Sequence, residues 1–143
     1  MIKQVSIYTA NTKGAMRKIT KLLKDNGINL IALVTNDSAE FGMVRFLASD
    51  PEKALAALED AGYMARITRV IGVRIDDECG GLDHLLEALY QSNIDVNYIY
   101  ISYDRSAKSV IAVFDADGAA EIESSLKTRG FEVMNDRDMA LND

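Results

Sequence analysis

The sequence predicts an α+β chain of two βαββαβ units, each an antiparallel four-stranded sheet backed by two helices. Three observations predict it: an internal repeat, a switch from strand to helix periodicity at matching places in both halves, and the turn residues between elements. Sliding the 143-residue chain so that Gly14 falls on Gly80 lays VSIYTANTKGAMRKITKLLKDNGINLIAL over IGVRIDDECGGLDHLLEALYQSNIDVNYI. Met16 then falls on Leu82, Ile19 on Leu85, Leu23 on Leu89, Ile28 on Ile94, Asn29 on Asp95 and Leu30 on Val96. Apolar positions persist where identities do not, the mark of a duplicated unit.

Each copy opens with a β-branched strand, around Val5 and Ile7 in one and Val70, Val73 and Ile75 in the other. A polar turn containing glycine follows. Apolar residues then recur at helical spacing, Met16, Ile19, Leu22 and Leu23 against Leu82, Leu85, Leu86 and Leu89, and stop at Asn26-Gly27 and Ser92-Asn93. A second strand (INLIALVT; IDVNYIYIS), a turn (NDSAEFG; YDRSAKS) and a third strand (MVRFLA; VIAVF) come next. The second helix begins after Asp50, with Pro51 suited to a first helical position, and in the other copy after Asp115-Ala116-Asp117-Gly118. Last strands lie near Met64 to Val70 and Phe131 to Met134. Right-handed crossovers place both helices of such a unit on one face, the ferredoxin-like arrangement. The expected domains are 1–69 and 70–143; MARITRVIGVRIDD, between them, has no Pro/Gly/Ser-rich linker, so docked units are expected.

A chain of this length buries roughly two-thirds of its unfolded surface and needs no covalent staple. Cys79 is the single cysteine, which excludes an internal disulfide framework and fits a reducing cytoplasm. MIKQVSIYTANTK lacks the apolar core of a signal peptide, and no apolar run approaches the roughly 18 residues of a membrane helix, so a soluble, cytoplasmic protein is expected. The net charge of −6 argues against nucleic acid. It is unevenly placed: residues 1–69 carry ten Lys and Arg against seven Asp and Glu, and residues 70–143 six against fifteen.

The catalytic inventory is thin. His84, the only histidine, sits beside Asp83 on an expected solvated helix face, and Cys79 lies in the acidic turn DDECGG, where neighbouring carboxylates disfavour thiolate. Asp76, Asp77, Glu78 and Asp83 do not follow EF-hand spacing, and no P-loop, GxSxG or GxGxxG occurs. No enzyme, metal or cofactor is expected. Tyr98, Tyr100 and Tyr103 invite comparison with RNA-recognition modules, which share this element order, but those stack bases mainly from the first and third strands; packing or interface roles suit these tyrosines better.

The turns remain. A helix N-terminus offers unpaired N–H groups and a partial positive charge to a carboxylate or phosphate. Gly14 allows close approach there, and Asn11 either caps the helix or addresses a ligand.

The stretch N-T-K-G-A-M, a helix, and then G-I-N-L at 27–30 resembles the ACT domain, a small βαββαβ amino-acid-sensing module. Asn11, Gly14 and Met16 match the first element of its pattern, Asn29 and Leu30 the second; Asp77, Gly80, Leu82, Asp95 and Val96 match in the second copy. Nearly the whole chain is covered, as in stand-alone double-ACT proteins of bacteria. Lys13 and Cys79 stand where the family often has proline, and Asp77 and Asp95 place carboxylates where an anionic group would sit, so the first copy is the favoured site. The resemblance implies a ligand held between the first-helix turn of one unit and the second strand of its neighbour. The implied site is Asn11, Thr12, Lys13, Gly14, Ala15, Met16, Asn29, Leu30, Ile31, Val96 and Asn97, with a second possible site at Asp77, Gly80, Gly81, Leu82 and Asp95. It also implies a non-catalytic regulatory protein that binds an amino acid, forms a homodimer and acts through a partner enzyme, with no nucleic acid or membrane. The rivals are an assembly subunit with a vestigial pocket and, less favoured, an enzyme on a ferredoxin-like scaffold. Pairing of second strands, within one chain or between two, sets the basic first helix (Arg17, Lys18, Lys21, Lys24) beside the acidic one (Asp83, Glu87).

Overall fold

The structure, a computed structural model, describes residues 1–10, 12–36, 41–104 and 109–140. Its elements are β1 (Ile2–Ala10), α1 (Ala15–Asp25), β2 (Leu30–Thr35), β3 (Phe41–Ala48), α2 (Pro51–Asp60), β4 (Met64–Ile75), α3 (Gly81–Gln91), β5 (Val96–Asp104), β6 (Ser109–Ala116), α4 (Ala119–Thr128) and β7 (Val133–Met134). Residues 3–68 form one compact unit; Arg69–Met139, with Met1–Ile2, form another. Strand order is β2-β3-β1-β4 in the first unit and β7-β4-β6-β5 in the second. Each unit thus has the ferredoxin-like order expected of βαββαβ.

The described residues form seven strands where eight were expected. The last strand of the first copy and the first of the second are one twelve-residue strand, β4. MARITRVIGVRI contains no residue that forces a turn, and its single glycine, Gly72, is packed: an added Cβ would lie 3.2 Å from Ile2 Cδ1 and 3.5 Å from Met134 Cβ.

Strand alternation and helix periodicity build both cores. Val5, Ile7, Val44 and Phe46 from the first sheet meet Ile19 and Leu23 of α1 and Ala54 and Leu58 of α2. Ile71, Val73, Ala112 and Phe114 meet Leu85 and Leu89 of α3 and Ile122 and Leu126 of α4. Each buried Leu or Ile contributes about 1.5–3 kcal/mol.

The helix ends follow their sequence signals. Pro51 opens α2, whose cap is Asp50, its carboxylate accepting from the Lys53 N–H at 3.2 Å. At the end of α1 the N–H of Gly27 (φ +69°) donates to the Lys24 carbonyl and that of Ile28 to Leu23. Asn93 (φ +56°) and Ile94 make the same pair of bonds to Tyr90 and Leu89 after α3. Asparagine tolerates this left-handed position, which is why the stop signal reads Asn-Gly in one copy and Ser-Asn in the other.

Within each unit the second strand is an edge. β2 pairs with β3 from Leu30↔Ala48 to Thr35↔Val44, and β5 pairs with β6 from Val96↔Ala116 to Asp104↔Ser109.

Candidate functional site

β1 carries the first-helix turn at its C-terminal end. Because it runs antiparallel to β3, with Ala10 opposite Phe41 and Thr9 opposite Gly42, the start of β3 lies alongside that turn. The result is a cleft of about 340 Å³ lined by Thr9, Ala10, Thr12, Ala15, Met16, Thr35, Asn36, Gly42, Met43 and Val44. Its size is within the range of small-molecule sites.

Gly14 (φ +83°) is the N-cap residue of α1. The Ala15 N–H is taken by the Thr12 carbonyl at 3.1 Å, and the Gly14 carbonyl accepts from Lys18 at 3.1 Å. No described side chain caps α1, and the N–H groups of Met16 and Arg17 belong to its first turn, where a helix supplies no internal acceptor. Glycine at 14 is required by its left-handed backbone, and nothing lies within 4 Å of where its Cβ would be. Asn11 lies outside the described residues; the N-cap position itself belongs to Gly14, three residues later.

Of the residues expected at the site, Thr12, Ala15 and Met16 line the cleft, while Lys13 and Gly14 are exposed on the turn beside it. Asn29, Leu30 and Ile31 do not join them. They follow the far end of α1, about 16 Å away along an eleven-residue helix, and the Asn29 N–H is held by Ser49 Oγ at 2.9 Å. Val96 and Asn97 open β5 in the other unit, where the Asn97 amide donates to Asp115 at 2.9 Å. The cleft's other lining residues come from the end of β1 (Thr9, Ala10), from the end of β2 and just beyond it (Thr35, Asn36) and from the start of β3 (Gly42, Met43, Val44); strand order, once assigned, places them next to the turn.

The corresponding turn of the second unit keeps the same bonds: Glu78 accepts from Gly81 at 3.1 Å and Gly80 from His84 at 3.0 Å. Gly80 (φ +90°) is its N-cap, with Gly81 and Leu82 the first residues of α3 and Asp77 exposed before it; Asp95 is exposed just ahead of β5. Gly81 is far more confined than Ala15, because a Cβ there would lie 2.0 Å from the Asp76 carbonyl oxygen. Nearby, Arg74 Nε bonds Glu132 at 2.7 Å, its Nη2 bonds Asp104 at 3.0 Å, and its Nη1 bonds Ser109. Burial works against the charge, but those two carboxylates outweigh it and hold the Arg74 pKa above its ordinary value.

Of the other chemically interesting side chains, Cys79 and His84 are exposed, and the His84 ring lies 5.0 Å from that of Phe131. Tyr100 is buried, whereas Tyr103 and Ile101 stand exposed on β5. Among the described residues no group of three or more His, Cys, Asp or Glu is placed to hold a metal, and no helix is long and apolar enough to cross a membrane.

Comparison with known families decides what kind of pair this is. The model of an ACT domain pair matches residues 1–141. The chain belongs to the ACT domain-pair family. Among solved structures it is similar to protein BT0572 from Bacteroides thetaiotaomicron, with a TM-score of 0.89 and 28% identity over 97% of this chain and 95% of that one. It shares the fold of the regulatory subunits of aspartate kinase from Thermus thermophilus (TM-score 0.65, 17% identity, 90% of each chain) and Thermus flavus (0.63, 20%, 87% and 88%). No match was found among curated protein sequences.

Proposed function

We propose that this ACT pair is a non-catalytic regulatory protein that senses a small zwitterion, an amino acid, at the first-helix turn of its first unit. The observation that carries the reading is the cleft beside the start of α1, which no described side chain caps. Among the described residues of its lining none is charged; three threonine hydroxyls and Asn36 supply the polar groups. An α-carboxylate accepts from the Met16 and Arg17 N–H groups, where the helix dipole favours a negative charge. The ammonium donates to hydroxyl, amide or carbonyl oxygens of Thr9, Thr35 and Asn36, and Met16, Met43 and Val44 receive the side chain. Lys13 and Gly14 form the outer side of the turn.

Asn29, Leu30, Ile31, Val96 and Asn97 enter this site from a second chain. Within a unit the start of the second strand and the start of the first helix lie at opposite ends of the helix, and two-fold pairing through edge strands inverts one unit relative to the other. That inversion brings a partner's strand start to this turn. Edge strands with unpaired backbone groups favour such pairing, and exposed Leu33 on β2 with Ile101 and Tyr103 on β5 supply apolar area. The basic α1 and acidic α3 then select partner and register more than they add affinity. The Asp77, Gly80, Gly81, Leu82 and Asp95 set is the weaker candidate, because its carboxylates repel an α-carboxylate.

Output passes to a partner protein, the role to which a fold shared with aspartate kinase regulatory subunits is suited. A ligand does this only by preferring one arrangement of the assembly. The test is thermal unfolding against each of the twenty amino acids: a true ligand at a hundredfold excess over Kd adds about 2.7 kcal/mol and raises Tm by several degrees. A flat response to all twenty favours the assembly-subunit reading.

A further inference from the structure

The first-helix turn of the first unit has a second cleft on its other side, away from β3. It measures about 460 Å³ and is lined by Tyr8, Thr9, Ala10, Thr12, Ala15, Lys18, Gly62, Tyr63 and Met64. Tyr8 is 44% exposed and Met64 74% exposed, unusual values for large apolar side chains flanking a cavity. The single charged residue in the lining is Lys18, which makes no ion pair among the described residues.

The repeat makes the same cleft visible twice. Its counterpart in the second unit is lined by Arg74, Ile75, Asp76, Gly81, His84, Arg129, Gly130, Phe131 and Glu132, and measures about 240 Å³. Position by position Arg74 replaces Tyr8, His84 replaces Lys18, Phe131 replaces Tyr63 and Glu132 replaces Met64. There the two rims are tied: Arg74 Nε meets Glu132 at 2.7 Å, and the His84 ring leans on Phe131 with centroids 5.0 Å apart. One copy has bridged the cleft with its own side chains and kept a smaller volume. The other presents the same walls unbridged, with aromatic and thioether surface inside and an ammonium at the mouth.

We infer that this cleft of the first unit is a second small-molecule site, distinct from the amino-acid cleft, and that it takes a carboxylate with a flat apolar body. The ring lies against Tyr8, Tyr63 and Met64, and the carboxylate pairs with Lys18. Amphipathic aromatics and a methionine supply adaptable contact area at small entropic cost. A lining that contains a cation and no acidic residue selects an anion over its neutral amide. Thr9, Ala10, Thr12 and Ala15 border both clefts, so occupancy on one side is felt through the shared turn on the other.

Methionine methyl resonances separate the two sites, because Met64 lines this cleft while Met16 and Met43 line the other. The probe is phenylacetate, with phenylacetamide as the uncharged control, added to methyl-labelled full-length protein. Phenylacetate is expected to shift Met64 saturably and to bind about tenfold more tightly than the amide, a preference that Lys18→Gln removes. The double variant Tyr8→Arg, Met64→Glu, which copies the second unit's tie, is expected to abolish binding measured by calorimetry while its thermal transition stays cooperative. An unmoved Met64, a response confined to Met16 and Met43, or undiminished binding in a folded double variant overturns the inference. Failure of amino-acid binding in the first cleft would leave a saturable Met64 response standing, so the two readings fail separately.

Discussion

Gly81→Ala is expected to cost about 3 kcal/mol, a large share of the stability of a unit this size. The added methyl would sit 2.0 Å from the Asp76 carbonyl oxygen, a backbone atom that moves only if the strand-to-helix turn opens. The equivalent residue of the first unit, Ala15, already carries a Cβ, so the requirement is particular to the second turn. Gly14→Ala makes the useful contrast. It meets open space and incurs only the left-handed backbone strain at φ +83°, about 1–2 kcal/mol. Urea unfolding of the two variants at unchanged m-value gives the comparison. If Gly81→Ala falls within about 0.5 kcal/mol of the parent, a range typical of uncrowded surface positions, the turn is not packed as described.

Met16→Glu is expected to reduce ligand affinity about a hundredfold or more while leaving the chain folded. A carboxylate at the second position of α1 is favourable for the helix itself, contributing about 0.3–1 kcal/mol against the dipole. That offsets much of the reduced apolar burial at a residue that is only half-buried. The same carboxylate sits where the ligand's own must go, competes for the Met16 and Arg17 N–H groups and repels the incoming charge; weakening charge-assisted hydrogen bonds of this kind accounts for roughly two powers of ten. Met16→Leu, which keeps the volume, should bind within a few-fold of the parent. Equal affinity for the Glu and Leu variants in calorimetry would remove the helix start from the site.

Much of the fold was legible because local and tertiary requirements agree at many positions. Apolar residues at Ile19, Leu23, Leu85 and Leu89 reveal the helices because those residues are the core, and Asn26-Gly27 and Ser92-Asn93 mark the stops because only such residues adopt the backbone needed there. The fused β4 was half-legible: the missing linker showed, but nothing in the alternation of MARITRVIGVRI distinguishes two abutting strands from one. The N-cap position of α1 belongs to Gly14 by conformation, which composition alone does not reveal. Residues that meet only across the sheet were out of reach. Met43 and Asn36 join Met16 through strand order, and Arg74 finds Asp104 and Glu132 far along the chain, a tie that no spacing in the sequence reveals.

Whether an amino acid is held beside the start of α1 is decided by titrating methyl-labelled protein with each of the twenty amino acids and following Met16 and Met43. At least one amino acid is expected to shift both resonances saturably, with the same Kd from each, and Met16→Glu is expected to abolish the Met43 response. If no amino acid at millimolar concentration moves either methyl, or if a ligand that raises Tm leaves both unmoved, the first-helix turn is not the binding site.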